Sequence, residues 1–148
     1  MVYDSADNGV TYDKVSVDSS LYDNKDRIVL ERSRDAIDKK NILGYTSYKY
    51  KTNFNTADTI RVFSLNDAGD KLVLSNETNN VLDAKGNVLT EVIKKPDAFT
   101  NIFGPDTKKT TIYNAKNLPI ETLEESWQSG NTTPDWGKII IKHFQIQC

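Results

Sequence analysis

Polar and apolar positions alternate along the chain in short bursts. Tyr48, Tyr50, Thr52 and Phe54 alternate with Lys49, Lys51, Asn53 and Asn55. That is the period of a half-buried strand with one aromatic and one polar face. Thr59–Leu65 (TIRVFSL) and 88–93 (VLTEVI) are rich in β-branched residues and read as strands, and so does the terminal stretch 138–147, which opens KIIIKHFQI. Pro96, Pro105 and Pro134 mark loops, and the Gly- and Thr-rich run from Gln128 predicts a loop over 128–137. One segment carries a second period. Pro119 followed by Ile120, Leu123 and Trp127 fits a short helix over 119–127, with Glu121, Glu124 and Glu125 outward. Likeness to the repeat described next predicts a strand there instead.

The strands are punctuated by a recurring turn. It reads Leu21-Tyr22-Asp23-Asn24-Lys25-Asp26-Arg27-Ile28 first, then Asn66-Asp67-Ala68-Gly69-Asp70-Lys71-Leu72. Leu82-Asp83-Ala84-Lys85-Gly86-Asn87-Val88 and Tyr113-Asn114-Ala115-Lys116-Asn117-Leu118-Pro119 follow, and Ile37-Asp38-Lys39-Lys40-Asn41-Ile42 is a degenerate copy. The leading Asp or Asn accepts a hydrogen bond from the backbone two residues on and starts the reversal. The Gly, Asn or Asp that closes it tolerates the positive φ a hairpin needs.

Leading residues at 23, 38, 67, 83 and 114 leave gaps of 15, 29, 16 and 31, all near one or two multiples of 15, with Asn53 and Asp97 at the skipped positions. A unit of about 15 residues accommodates two strands of 4–6 residues and two short turns. The expectation is an all-β antiparallel meander of consecutive hairpins in a single domain. Its repeats would span 20–127, after an irregular segment over 1–19.

Composition supports this class. Val, Ile, Thr and the aromatics total 50 residues against 24 for Ala, Leu, Glu and Met, and Asp, Asn and Gly add 36 turn formers. The acid count is thus evidence about turns before it is evidence about partners. A net charge of −2 over 148 residues argues against nucleic acid, and the 21–55 stretch, with eight basic residues to five acidic, is too dilute to change that. A single Cys148 and a single His143 exclude an internal disulfide and a Cys- or His-pair metal site. No apolar run exceeds Ile139-Ile140-Ile141, so no transmembrane segment is expected. Residues 1–20 hold four Asp and one Lys with no apolar stretch, which is not a signal peptide. Either the protein is cytoplasmic or Met1 replaces a removed leader.

The copies Tyr22-Asp23-Asn24-Lys25-Asp26-Arg27-Ile28 and Leu82-Asp83-Ala84-Lys85-Gly86-Asn87-Val88 resemble the YD repeats of RHS-type bacterial proteins, a Tyr-Asp-x-x-Gly-Arg/Asn-Leu core in a β-hairpin. Tyr-Asp occurs in only one copy, where Asp26 takes the Gly position. The resemblance implies repeats that build antiparallel sheets as scaffolds outside the cytoplasm, as in small extracytoplasmic proteins of Bacteroidetes.

Chemistry-bearing groups are sparse. Glu121, Glu124, Glu125 and Glu91 could supply a hydrolase acid pair, but read more simply as a solvated face. His143 alternates with Ile139 and Ile141 and reads as a packed or edge residue; Cys148 reads as a terminal thiol. Asp4 to Gly9 and Asp23 to Asp26 bunch oxygens without the terminal Glu of a calcium loop. No cofactor is expected. Trp127 and Trp136, which flank the loop, and Tyr48 and Tyr50 are the candidate contacts for a glycan or a protein, with burial at the end of the sheet as the alternative. The function expected is a non-enzymatic interaction or scaffold module. A carbohydrate-binding module, a small acidic inhibitor of the immunity type and a glycosidase-like hydrolase are the alternatives.

Overall fold

A computed structural model describes residues 2–6, 11–38, 40–51, 53–97, 100–128 and 135–143, with side chains for 16–38, 40–51, 53–97, 100–127 and 136–137. It contains ten strands and, among the described residues, no helix: β1 (Val2–Ala6), β2 (Thr11–Tyr22), β3 (Ile28–Asp35), β4 (Ile42–Lys49), β5 (Thr59–Leu65), β6 (Leu72–Leu82), β7 (Val88–Pro96), β8 (Phe103–Tyr113), β9 (Pro119–Gln128) and β10 (Asp135–His143). Strand order in the sheet is chain order, an antiparallel meander that does not close. Contacts group the chain into two compact units. One holds 1–48 and 61–75, the other 49–60 and 76–148, with the boundaries falling inside β4, β5 and β6.

Local chemistry at the turns explains the hairpins. In three of them the backbone is alike. Asp26 N donates to Asp23 O (3.2 Å), Gly86 N to Asp83 O (3.2 Å) and Asn117 N to Asn114 O (3.0 Å). The closing residues sit at φ of 57°, 88° and 61°. The leading side chain holds the reversal from inside: Asp83 Oδ1 accepts from Lys85 N (2.7 Å) and Asn87 N (3.0 Å). Asp23 and Asn114 repeat both bonds. Beside each turn the register slips by one residue, at Leu21/Tyr22, Val81/Leu82 and Ile112/Tyr113. A turn followed by a left-handed residue and a bulge is the three-residue hairpin connection.

The other turns are variants. Asn66, rather than Asp67, leads the Gly69 turn, accepting from Asp70 N and Lys71 N, with Gly69 at φ 71°. In the degenerate copy the carboxylate of Asp35 captures Ile37 N and Asp38 N (2.7 and 2.8 Å). The skipped position at Asp97 is also a turn, with Thr100 N on Asp97 Oδ1 at 2.8 Å.

Several expectations need correction. Described strands from β2 onward run 7 to 12 residues, so a 15-residue unit holds one strand and one turn, not two of each. β1 and β2 occupy ground expected to be irregular, because a strand needs only backbone pairing and the Asp- and Ser-rich β2 finds it along β3. β4 stops at Lys49, and the alternating pattern over 48–54 is not a strand. Asp58 folds that stretch on itself: Asp58 N donates to Lys49 O (2.9 Å) and its carboxylate accepts from Lys51 N. Pro105 lies within β8, at the register shift opposite Lys94, where a missing N–H is tolerated. The segment 119–127 is strand, with Pro119 as its first residue. β10 begins at Asp135, inside the expected 128–137 loop; 129–134 and the end of the expected terminal strand lie outside the described residues.

The sheet buries little. Among the described residues the only buried apolar side chain is Ala57, whereas Ser16, Asp58, Glu77, Thr111 and Thr122 are buried and polar. Thr111 and Thr122 face each other across β8 and β9. Cross-strand pairs, at about 0.2–1 kcal/mol each, therefore carry much of the stability. No helix among the described residues is long and apolar enough to cross a membrane.

Candidate functional site

In the second unit, register brings Trp127 and Trp136 directly opposite each other on β9 and β10. Their rings meet edge to face, centroids 5.1 Å apart at 71°, and both are half-buried. Lys108 Nζ lies 5.8 Å from the centre of the Trp136 ring and 2.9 Å from Glu125 Oε2. A sugar platform needs an open aromatic face; here the two indoles meet edge to face and an ammonium lies over the Trp136 ring. Residues 129–134, the middle of the loop expected between them, lie outside the described residues.

Tyr48 belongs to the first unit and Tyr50 to the second. The Tyr48 hydroxyl donates to Glu31 Oε2, so Tyr48 secures β3 to β4. Tyr50 is half-buried just past the end of β4, not in one strand with Tyr48 as the alternation suggested.

Strand parity separates the acids considered for hydrolysis. Glu121 pairs with Ile112 and Glu124 with Lys109 without a register break between them, so they project to opposite faces of β9. Glu91 shares the face of Glu124, with Lys109 in the row between. Two strand spacings, about 9.5 Å, and an intervening ammonium separate them. The side chain of His143 and the position of Cys148 lie outside the described residues.

At Asp23, Arg27 Nε (2.7 Å) and two backbone amides take the oxygens that calcium would need. The Arg27 guanidinium holds the Asp23 carboxyl below the ordinary range against a smaller opposing effect of desolvation. The Asn87 amide does the same for Asp83. Among the described residues no three His, Cys, Asp or Glu groups converge as a metal site; the side chains of Asp4 and its neighbours are outside them.

Depressions are shallow and open. One of about 350 Å³ lies over Gly44, beside Asp18, Glu31, Ser33 and Val62. A side chain there would bring its Cβ within 2.9 Å of Phe63 O. A second, of about 410 Å³, lies over Glu91, Ile93, Thr107, Lys109 and Glu124. More prominent are the exposed apolar groups. Leu21 (52%), Tyr22 (59%), Val81 (58%) and Ile112 (49%) stand in or beside regular strands. Val81 and Ile112 share one face of the second unit, which the row Val81, Thr90, Thr110 and Leu123 defines. None of these positions was among the candidate contacts, which lay beside the 128–137 loop and in the 48–54 alternation. The excess of polar residues at the paired positions was the available signal.

No family model matches the chain, and no curated protein does. The fold is similar to that of a Bacteroides fragilis protein of unknown function, with a TM-score of 0.63 and 12% identity over 87% of this chain and 91% of that one. DUF3836 family proteins from Bacteroides vulgatus (12% identity) and Parabacteroides distasonis (16%) match 68% of this chain, and 98% and 89% of theirs, each with a TM-score of 0.47. At these identities the likeness to the Bacteroides fragilis protein extends to the fold alone.

Proposed function

We propose that the chain is a non-enzymatic interaction or scaffold module that presents the faces of its sheet to another protein, outside the cytoplasm. The observation that carries this reading is the inversion of burial: one buried apolar side chain among the described residues, against large apolar groups at a third exposure or more along the strands. Sheets ordinarily bury one face against a second layer, and an uncovered apolar face marks an interaction surface. The YD-like hairpins support a place outside the cytoplasm, which fractionation of cells expressing the full-length gene product would test.

The reading is tested with V81K/I112K, a charge pair on one face that leaves every turn intact. Wild-type protein should capture a partner from the cells that make it, and this variant should lose that partner while keeping its circular dichroism. Hydrolysis of a glycan by the purified chain, abolished by E124Q, would overturn the reading. A glycan partner on Trp127 and Trp136 is supported less well, given the edge-to-face rings and the position of Lys108.

A further inference from the structure

The two units handle charge differently. In the second, each face neutralises itself across strands: Lys94 lies 3.0 Å from Glu77, Lys95 3.1 Å from Asp106 and Lys108 2.9 Å from Glu125. In the first, charges are sorted by face. Side chains alternate along β3, so Arg32 and Arg34 project to one side and Glu31, Ser33 and Asp35 to the other. Register carries the sorting outward. Ser19 and Tyr45 stand in the row of Arg32, and Asp18 and Gly44 in the row of Ser33.

Two contacts fix the faces independently. Tyr45 stacks on Phe63, with centroids 4.4 Å apart and planes 16° apart, which places Phe63 on the arginine face and, two residues earlier on β5, Arg61 with it. Tyr48, three residues from Tyr45, bonds Glu31 on the acidic face. Among the described side chains of β2 to β5 in this unit, the arginine face holds no carboxylate and the acidic face no cation. Arg34 Nε is buried with no hydrogen-bond partner among the described residues.

We infer that the arginine face of this unit docks on the acidic face of a second copy of the chain. The inference rests on the interaction-module reading and names the partner. Its complementarity is built into β3, where the acidic rows of Glu31, Asp18 and Asp35 bracket the arginine rows of Arg32 and Arg34. Two such faces packed about 10 Å apart and offset by one residue set guanidinium against carboxylate, a charge-assisted and geometrically demanding pairing. Leu21, 52% exposed, and the Tyr45–Phe63 stack supply apolar surface on the arginine side. Because unlike faces meet, the contact is heterologous and does not close at two copies.

The test uses two variants of the full chain, R32E/R34E and D18K/E31K, with R32Q/R34Q as a milder basic-face change, each checked for a wild-type thermal transition. In sedimentation at roughly 20 mM salt, where screening is weak, wild-type mass should rise with concentration, and at about 0.5 M salt it should fall to the single chain. Each variant alone should stay monomeric. An equimolar mixture of R32Q/R34Q and D18K/E31K should form a complex of two chains that grows no further, since one intact face of each kind remains and the neutral face offers the lysines nothing to pair with. A wild-type chain that is monomeric throughout at low salt, or association indifferent to these substitutions, overturns the inference. If wild type is monomeric yet still captures a partner sensitive to V81K/I112K, copy-on-copy docking fails and the interaction reading stands; if that capture is absent as well, both fail.

Discussion

The Cβ that Gly86 lacks would stand 2.8 Å from Cγ of Phe54, a residue thirty-two positions earlier in sequence. The hairpin between β6 and β7 is thus closed by a residue chosen twice, once for its φ of 88° and once for the ring against it. Thr56 Oγ1 adds a bond to Gly86 O at 3.3 Å, and Asn80 Nδ2 one to Ala57 O at 2.9 Å, so the 50–58 loop is seated on this hairpin. Gly86→Ala should cost about 1–2 kcal/mol for the left-handed backbone and about 1–3 kcal/mol more for overpacking. Gly69, at φ 71° with nothing within 4 Å, isolates the first cost. Denaturant unfolding of both alanine variants should place Gly86→Ala clearly below Gly69→Ala, and adding Phe54→Leu should narrow the gap.

Asn114 organises its turn through two bonds of its side-chain oxygen, to Lys116 N (2.9 Å) and Leu118 N (3.0 Å). Asn114→Ala should lower stability by about 1–2 kcal/mol, the net worth of two such bonds. Asn114→Asp should retain most of it. Unfolding midpoints at constant m-value check both.

The carboxyls of Asp23 and Asp83 titrate below the ordinary range in the folded chain. A lowered folded pKa gives stability that is present above the unfolded value and lost as pH falls through the folded one. Stability should therefore decline on acidification below about pH 4, and less so in D23N/D83N. The causes differ: Asp23 is held by the charged Arg27, Asp83 by the neutral Asn87. Added salt should raise the Asp23 midpoint more than that of Asp83, as followed by carboxyl NMR.

Edge-to-face indoles at 5.1 Å should couple electronically. Far-ultraviolet circular dichroism should show a tryptophan exciton couplet that disappears in W127F and in W136F alike. Emission should lie between that of buried and free tryptophan, matching half-burial. Emission at the position of free tryptophan would contradict the pair.

The turns were legible in the sequence because their chemistry is local: Asp83 and Gly86 are three residues apart and need nothing else. Strand length was not. The reversals that join β2 to β3 and β3 to β4 use the same residues, so spacing alone could not show that one strand fills each interval. The loop at 50–58 was misread because Asp58 lies beyond the alternating 48–54 stretch, and Asn80, which also holds the loop, is remote in sequence. β2 was misread because a strand without a packed second layer needs no apolar face. The candidate tryptophans were found and brought together, but as mutual partners. The sorting of charge was written plainly in Glu31-Arg32-Ser33-Arg34-Asp35, whose signs alternate with the period of a strand, and was obscured by counting charges along the chain instead of across it.

On the proposed function, the faces of the sheet are the working surface. Carbene footprinting of the dilute purified chain, compared with the same chain in the cells that make it, measures this without naming a partner. Leu21, Val81 and Ile112 should lose labelling in the cellular setting while the turn residues Asp70 and Lys116 keep theirs. Labelling of all three that is unchanged between the two settings would contradict it.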